Sequence, residues 1–254
     1  MITVKSQKEI ETLKEGGARL AEIMRAVLLR VKAGVTTDEL DEYALELIQA
    51  GGDIPSFLNY RPEGMRKMYP KSICVSINDE VVHGIPGPKR ILKDGDVVSV
   101  DIGLIHKGLF TDHAKTVVVG EGDKEAKRLV QVTEKALKEG IRVAKPGNTI
   151  GDIGYAIEKY VKPYGYGIVR ELSGHGVGYA VHEDPYVPNY GKPGTGPKLV
   201  PGMVLAIEPM LIIGSDKVVF GKDGFTVRSK NGSMAAHFED TIVITDKGPV
   251  LLTK

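Results

Sequence analysis

Apolar residues recur at spacings of three and four along four stretches of the chain, 6–34, 36–51, 123–145 and 149–163. This spacing places them on one face of a helix, so each stretch is predicted to be an amphipathic α-helix. Ser6 with Glu9, and Thr36 with Glu39, have the spacing of a capping box, which marks the start of the first two helices. Glycines at positions 34 and 51 are expected to end them.

Runs rich in β-branched residues follow each pair of helices and predict strands. The segment YRPEGMRKMYP, residues 60–70, is predicted to be a loop because of its prolines and glycine. The predicted strands are SICVSI, DVVSVDIGLI and KTVVV in the first half, and GMVLAIEPMLII, KVVF and FEDTIVIT in the second. Two helices followed by strands therefore occur twice, which predicts a mixed α/β (α+β) fold.

The two halves also resemble each other in sequence. KAGVTTDEL at position 32 resembles KPGNTIGDI at 145, and KDGDVVSVDIG at 93 matches VPGMVLAIEPM at 200. The second match lays Asp101 over Glu208, and TDHAKTVVV lays Asp112 near Glu239. We interpret this as one domain, 1–254, with duplicated halves at roughly 6–120 and 121–250, packed about a pseudo-two-fold axis. Chance similarity of short amphipathic segments is the alternative.

Composition narrows the class of protein. The chain has 254 residues, 42% of them hydrophobic, and a formal net charge of +1, so it is expected to form an ordinary globular core. We find no basic block that would indicate nucleic-acid binding and no apolar run near the roughly 18 residues of a membrane span. The N-terminal residues lack the apolar stretch of a signal peptide. The single cysteine, Cys74, excludes an intrachain disulfide and fits a reducing cytoplasm.

Four acidic residues lie in or beside strongly apolar strand runs, where carboxylates are costly unless paired or bound to metal. They are Asp101, Asp112, Glu208 and Glu239. Each one alone could be a solvated strand residue. Gathered in one pocket they would repel one another, by about 4 kcal/mol per pair at roughly 4 Å and an effective dielectric near 20. Two divalent cations would cancel four negative charges, which favours a dinuclear centre.

The segment SGHGVGYAVHEDP carries two histidines seven residues apart, His175 and His182, among glycines. One interpretation is a surface turn that happens to contain histidines. The other is a metal site whose remaining ligands lie elsewhere, and the four carboxylates supply such ligands. The glycines are then expected to let the backbone approach the metals closely.

These residues and the segments PKSICVSINDEVVHGIP, GHGVG, HEDPYVPNYG and DGFTV closely resemble type I methionine aminopeptidases over nearly the whole chain. Five metal-ligand positions match in type and order: Asp101, Asp112, His175, Glu208 and Glu239. There is no long insertion between His182 and Glu208 and no N-terminal metal-binding extension, as in the short bacterial form. The resemblance implies the pita-bread fold, in which two pseudo-two-fold-related halves form a curved antiparallel sheet covered by helices.

The resemblance also implies an activity, which is removal of the initiator methionine from nascent proteins. A hydroxide bridging two divalent ions (Mn, Fe, Co or Zn) would attack the first peptide bond. Asp101 would be a bidentate ligand of one ion, Asp112 and Glu239 would bridge both, and His175 and Glu208 would complete the second. The implied setting is a cytoplasmic monomer that binds N-terminal methionine peptides and associates transiently with the ribosome.

By the same resemblance, Glu208 would accept a proton, while His83 and His182 would contact the scissile amide and stabilise the oxyanion. The methionine pocket would include Tyr69, Cys74, Val181 and Phe225. Val181 and Phe225 stand where the family often has larger aromatic residues, so the size of the pocket is left open. Cys74 is not expected to be a nucleophile, because it lies in a predicted strand with no activating base in view.

The chain departs from the family at His237, where a glutamine is usual. On a strand, His237 and Glu239 would point to the same face, so His237 is expected either beside the metal ligands or in contact with a metal. His106 and His113 match no functional position and are expected at the surface or as hydrogen-bonded core residues.

Two rival functions remain open. The first is a related peptidase on the same fold, such as an Xaa-Pro dipeptidase or a creatinase relative, although those usually carry an additional N-terminal domain. The second is a silent binding module, although such relatives have lost ligands that are all present here. The motifs HExxH and GxSxG and a phosphate-binding loop are absent from the sequence, and GHGVGYA lacks the glycine spacing of a dinucleotide-binding loop.

Overall fold

The fold is described from a computed structural model, which covers residues 1–62, 64 and 66–254. It contains four α-helices: α1 (Gln7–Leu28), α2 (Thr37–Ala50), α3 (Lys124–Val143) and α4 (Ile150–Val161). The predicted loop at 60–70 has no helix or strand at its described positions, and Glu63 and Met65 lie outside the described residues. No helix in the described part is long and apolar enough to cross a membrane.

Fifteen strands are described in these parts of the chain. They are β1 (Ile54–Pro55), β2 (Ile73–Ile77), β3 (Glu80–Val82), β4 (Val97–His106), β5 (Leu109–Val118), β6 (Tyr166–Ile168), β7 (Gly174–Gly176), β8 (Glu183–Val187), β9 (Val204–Ile207), β10 (Met210–Ile213), β11 (Val218–Phe220), β12 (Val227–Ser229), β13 (Ala235–His237), β14 (Glu239–Thr245) and β15 (Gly248–Leu251).

The helix starts follow the sequence closely. Ser6 with Glu9 and Thr36 with Glu39 both form complete capping boxes, so the first two helices begin as predicted. The first helix ends earlier than predicted, at Leu28 rather than Gly34. Gly34 instead lies in the following turn with φ +90°, a conformation that costs glycine little.

The main sheet has nine strands in the order β1-β4-β5-β14-β9-β7-β8, with β2 also paired to β4 and β15 also paired to β14. Every one of these pairs is antiparallel. Two smaller sheets, β13-β10-β6 and β11-β12-β3, stand beside it.

The four helices cover the main sheet in two pairs. One core joins α1 and α2 to β2 and β4 through residues such as Leu20, Leu40 and Val100. A second core joins α3 and α4 to β9 and β14 through residues such as Ile153 and Leu205. Gly17 allows α1 to approach the C-terminal segment, because an added Cβ would lie 2.5 Å from the carbonyl oxygen of Leu252.

The halves share a local feature at the start of their second helices. Thr36 forms an isolated bridge with Ile91, and Thr149 forms one with Lys198. Both threonines begin a helix, so the same supersecondary arrangement recurs at the two positions that the sequence repeat aligns.

One predicted strand is broken, and the break places the site. GMVLAIEPMLII forms β9 and β10, which belong to different sheets, with Glu208 and Pro209 between them. Proline has no backbone N–H to continue a ladder, so the strand changes sheet there. A neighbouring segment is interrupted in the same way, because Phe238 separates β13 from β14.

Candidate metal centre and the cavity beside it

Three carboxylates share one face at the middle of the main sheet. On β4 and β14, Asp101 and Glu239 both lie opposite Ala114 of the intervening strand β5. Asp112 precedes Ala114 by two residues, and side chains two positions apart on a strand point to the same face. All three side chains are buried. Sheet register alone therefore brings them together.

His175, on β7, and Glu208, which follows β9, reach the three carboxylates from the opposite flank of β14. His175 pairs with Ala206 on β9, and Glu208 follows Ala206 by two residues. The Nε2 atom of His175 lies 3.5 Å from Oε1 of Glu208 and 3.9 Å from Oε1 of Glu239. Its Nδ1 atom is hydrogen-bonded to the carbonyl of Gly176 at 2.9 Å, which leaves Nε2 facing the carboxylates.

A sixth donor lies in the same group. The Nε2 atom of His237 is 3.5 Å from Oε2 of Glu208 and 3.8 Å from Oε2 of Glu239. The sequence argument assumed one continuous strand through His237 and Glu239, and that premise is wrong because the chain breaks at Phe238. His237 still faces the carboxylates of Glu208 and Glu239.

Burial dominates the electrostatics of the group. It raises the pKa of Asp101 to about 7 and the pKa values of Asp112, Glu208 and Glu239 well above their ordinary range. Neighbouring carboxylates further raise the pKa values of Asp101, Asp112 and Glu239. Burial also lowers the pKa of His175 to about 3. Without a counter-charge, the site therefore favours protonated carboxyls and neutral imidazoles.

The donors fit divalent metal ions. Within the described part of the chain, Oδ1 of Asp101, Oε1 of Glu239 and both ring nitrogens of His237 are buried without a hydrogen-bond partner. Buried polar atoms are normally satisfied, so such a group calls for an occupant. Two sets of three donor atoms each lie within 4.8 Å of one another: Asp112, His175 and Glu239, and Glu208, His237 and Glu239. Carboxylate oxygen and imidazole nitrogen suit Mn, Fe, Co or Zn.

Two further histidines border the same cavity. His83 follows β3 with φ +59°, an uncommon conformation for a residue other than glycine, and burial lowers its pKa to about 4. The ring of His182 stands edge-on to that of His175, with centroids 4.4 Å apart. Desolvation by the cavity walls lowers the pKa of His182, so both side rings are neutral near pH 7.

The cavity holds about 270 Å³ and joins the donor group to an apolar end. Tyr69 and Phe225 meet there edge to face, with ring centroids 5.3 Å apart, beside buried Cys74. Val181 packs in the same apolar cluster as Tyr69, Cys74 and Phe225, although it is not among the residues that line the cavity.

Sequence reasoning missed Phe57 and Tyr60, which do line the cavity. The hydroxyl of Tyr60 lies 2.9 Å from Nδ1 of His182, although 122 positions separate the two residues. An exposed carboxylate, Glu171, also lines the cavity. The only sequence signal for Tyr60 was an aromatic residue at the start of a predicted loop.

The glycines on either side of His175 lie against the backbones of neighbouring strands. A Cβ on Gly174 would lie 2.4 Å from the carbonyl oxygen of Ala206, and one on Gly176 would lie 2.2 Å from that of Asp184. Their role is to let β7 lie close to its neighbouring strands.

The other two histidines are buried and hydrogen-bonded, as expected for core residues. His106 contacts Asp53 through Nδ1 at 2.7 Å, away from the cavity. His113 contacts the carbonyl of Glu239 at 2.8 Å and the carboxylate of Asp240 at 3.0 Å. Cys74 is buried and its thiol pKa is raised well above the ordinary value by burial, which agrees with an unreactive thiol.

Comparisons of sequence and of structure with known proteins agree on one family. The model of metallopeptidase family M24 matches residues 11–246. A methionine aminopeptidase of Clostridium acetobutylicum is 46% identical over 253 residues, covering 100% of this chain and 99% of that protein. The crystal structure of a methionine aminopeptidase from Thermotoga maritima superposes with a TM-score of 0.95 at 42% identity and full coverage of both chains.

A more distant structure shares the fold alone. An Xaa-Pro dipeptidase from Bacillus anthracis superposes with a TM-score of 0.77 at 24% identity, and the match covers 99% of this chain but 62% of that one. The pita-bread architecture predicted from the sequence is thereby confirmed through the bacterial methionine aminopeptidase structures.

Proposed function

The chain belongs to metallopeptidase family M24, and from that premise we propose that it removes methionine from the N-terminus of peptides. The observation that carries the proposal is one cavity, which joins five carboxylate and imidazole donors to an apolar end that suits a thioether side chain. Four of the donors are buried, and Glu208 is partly buried. Relatives that match over their full length are named for the same activity.

We assign the metal ligands to Asp101, Asp112, His175, Glu208 and Glu239, which would together hold two divalent ions. Bound there, such ions would acidify water and polarise the scissile carbonyl. The four carboxylates supply the four negative charges that two such ions balance. Their raised pKa values in the metal-free protein express the same need for positive charge.

The remaining roles follow from position and protonation. Glu208 lies at the cavity edge of the donor group, where its free carboxylate oxygen can accept a proton from the attacking water. His83 and His182 line the cavity as neutral rings, so each can donate an N–H to the scissile amide or to the oxyanion. These donors would act on charge that develops only during the reaction.

The apolar end would bind the methionine side chain. Tyr69 and Phe225 offer aromatic rings, with which a thioether sulfur makes favourable contacts. Cys74 and Phe57 complete an apolar lining. The second substrate residue would face the donor group and His83, where space is limited, so glycine, alanine or serine is expected there.

The physiological substrate would then be the N-terminus of newly made proteins. The single buried cysteine fits a cytoplasmic location. We further propose that residues 1–254 act as one catalytic unit, as a monomer that meets its substrates at or near the ribosome. Support for one unit comes from the site itself, since both halves of the chain contribute ligands to it.

A peptide assay tests the proposed activity against the rival peptidase. The metal-free protein is incubated with Met-Ala-Ser or with a Met-Pro peptide, with and without added Mn²⁺ or Co²⁺, and released methionine is measured. We expect release from Met-Ala-Ser only when metal is present. Preferential cleavage of the Met-Pro peptide would instead favour a dipeptidase, and no cleavage of either peptide with metal bound would favour a silent binding module.

A further inference from the structure

His237 is a buried histidine whose ring makes no hydrogen bond to the described residues. Its exposed fraction is 2%, and neither Nδ1 nor Nε2 has a partner there. Leaving one buried polar atom unsatisfied costs about 1–3 kcal/mol. The ring nitrogens therefore need a binding partner that the described residues do not supply.

The ring is also firmly positioned. The hydroxyl of Thr116 donates to the carbonyl of His237 at 2.6 Å and accepts from its N–H at 3.0 Å. Both backbone groups of His237 are therefore fixed to β5, the strand that carries Asp112. The backbone position from which the ring reaches the donor group is therefore set by the sheet.

The two imidazoles take matching positions around the same carboxylates. His175 lies 3.5 Å and 3.9 Å from the Oε1 atoms of Glu208 and Glu239. His237 lies 3.5 Å and 3.8 Å from their Oε2 atoms. The two imidazoles therefore lie at similar distances from the carboxylates of Glu208 and Glu239, His175 near their Oε1 atoms and His237 near their Oε2 atoms.

These separations are long for hydrogen bonds but suit ligands of one ion. An N–H···O bond spans about 2.7–3.2 Å, so the ring does not satisfy itself on either carboxylate. Two donors that each lie about 2.1 Å from one cation, in tetrahedral or five-coordinate geometry, are about 3.0–3.6 Å apart. The observed distances lie close to that range.

We propose that Nε2 of His237 is a sixth protein donor, which binds the cation held by Glu208 and Glu239. The inference rests on the metal centre of the proposed function and deepens it. A second imidazole would strengthen binding of Co²⁺ or Zn²⁺ at that position, because imidazole nitrogen suits these ions better than an amide oxygen does.

The first test is a Co²⁺ titration of the metal-free protein, with His237→Gln as the variant. Glutamine keeps a polar side chain that can accept or donate hydrogen bonds but removes the imidazole. We expect Co²⁺ affinity at one of the two positions to fall at least tenfold, while the other is changed little. His106→Gln is the matched control, since it removes a buried imidazole that faces Asp53 instead of the cavity, and its titration should follow the wild type.

The main measurement of the second test is made on the wild-type protein. In the proton NMR spectrum of the wild-type protein with two equivalents of Co²⁺, each ligating imidazole gives one exchangeable, contact-shifted N–H signal. We expect two such signals, from His175 and His237. In His237→Gln, checked for folding by circular dichroism, one should remain.

A single signal in the wild type, together with an unchanged titration of His237→Gln, would overturn the proposal. The outcome is separable from the proposed function. Two signals in a protein that releases no methionine would support His237 as a ligand and would contradict the proposed peptidase activity. One signal in a protein that releases methionine normally would do the reverse.

Discussion

The hydroxyl of Tyr60 lies 2.9 Å from Nδ1 of His182, across the mouth of the cavity. Burial raises the pKa of Tyr60, so its hydroxyl stays protonated and can donate to the ring. A ring that accepts at Nδ1 carries its own proton on Nε2. With the hydroxyl as the donor, His182 is held in the tautomer that can donate a hydrogen bond to a developing oxyanion.

Replacing Tyr60 by phenylalanine should lower kcat by about tenfold with bound metal unchanged, because His182 loses the partner that fixes its tautomer and orientation. Steady-state kinetics on Met-Ala-Ser and metal analysis measure the two quantities. Tyr155→Phe, which removes an exposed hydroxyl on α4, is the control. A Tyr60→Phe enzyme with wild-type kcat would remove this role.

His182→Ala should keep both metals and lose about 10²–10³ in kcat, the typical worth of one oxyanion donor. If Tyr60 acts through His182, adding Tyr60→Phe to His182→Ala should cause almost no further loss, which a double-mutant cycle measures. A fall in metal content in His182→Ala would make His182 a ligand instead.

Asp112→Ala or Glu239→Ala should abolish peptidase activity while the chain still folds, since each removes a carboxylate that balances the metal charge. Metal content after gel filtration should fall, and circular dichroism should stay near that of the wild type. Asp41→Asn is the control, because Asp41 is also buried but accepts from the backbone of Ser72 and Ile73. It should lower stability and keep the metals. Full turnover in metal-free Glu239→Ala would contradict a metal mechanism.

In the metal-free protein, the stability that Asp101 contributes should be lost as pH rises from about 4 to about 7. Asp112, Glu208 and Glu239, whose pKa values are raised well above their ordinary range, should extend the net loss above about pH 6.5. The buried carboxyls have folded-state pKa values above their unfolded ones, with Asp101 at about 7, so the folded chain holds protons that the unfolded chain has released. Each such proton lowers the free energy of unfolding by about 1.4 kcal/mol per pH unit.

The histidines act in the opposite direction, but only at lower pH. The pKa of His175 is lowered to about 3, so its contribution to stability rises between about pH 3 and 6.5 and is constant above. Denaturant melts at pH 6.5, 7.5 and 8.5 measure the net effect. Added Co²⁺ should remove the decline, and a metal-free stability that rises over this range would be the contrary result.

The apolar end should accept an unbranched apolar side chain and bind a cation poorly, since Tyr69, Cys74 and Phe225 belong to a buried apolar cluster. Met-Ala peptides should be cut fastest, norleucine-Ala peptides somewhat more slowly, within the roughly 1–3 kcal/mol that apolar packing allows, and Lys-Ala peptides hardly at all. Met-Lys peptides should be poor because of the large second residue. Equal rates for the lysine-headed and methionine-headed peptides would refute the pocket.

The sequence by itself determined the local elements and the chemical inventory. Capping boxes at Ser6 and Thr36 marked helix starts, because a cap depends only on residues three positions apart. Carboxylates such as Asp101 stood out inside apolar runs, because burial of charge is costly in any fold. The order of ligand types along the chain was enough to indicate the family, which the comparisons confirmed.

Only the tertiary structure decided how distant residues meet. The break at Glu208 and Pro209 divides one apolar run between two sheets, a choice that depends on which strands are available to pair. His237 lies beside the carboxylates of Glu208 and Glu239, although its own strand ends before Glu239. Tyr60 reaches His182 across 122 positions, and Val181 packs in one apolar cluster with Tyr69 and Phe225. Such contacts are set by packing between elements far apart in sequence, for which spacing along the chain carries no signal.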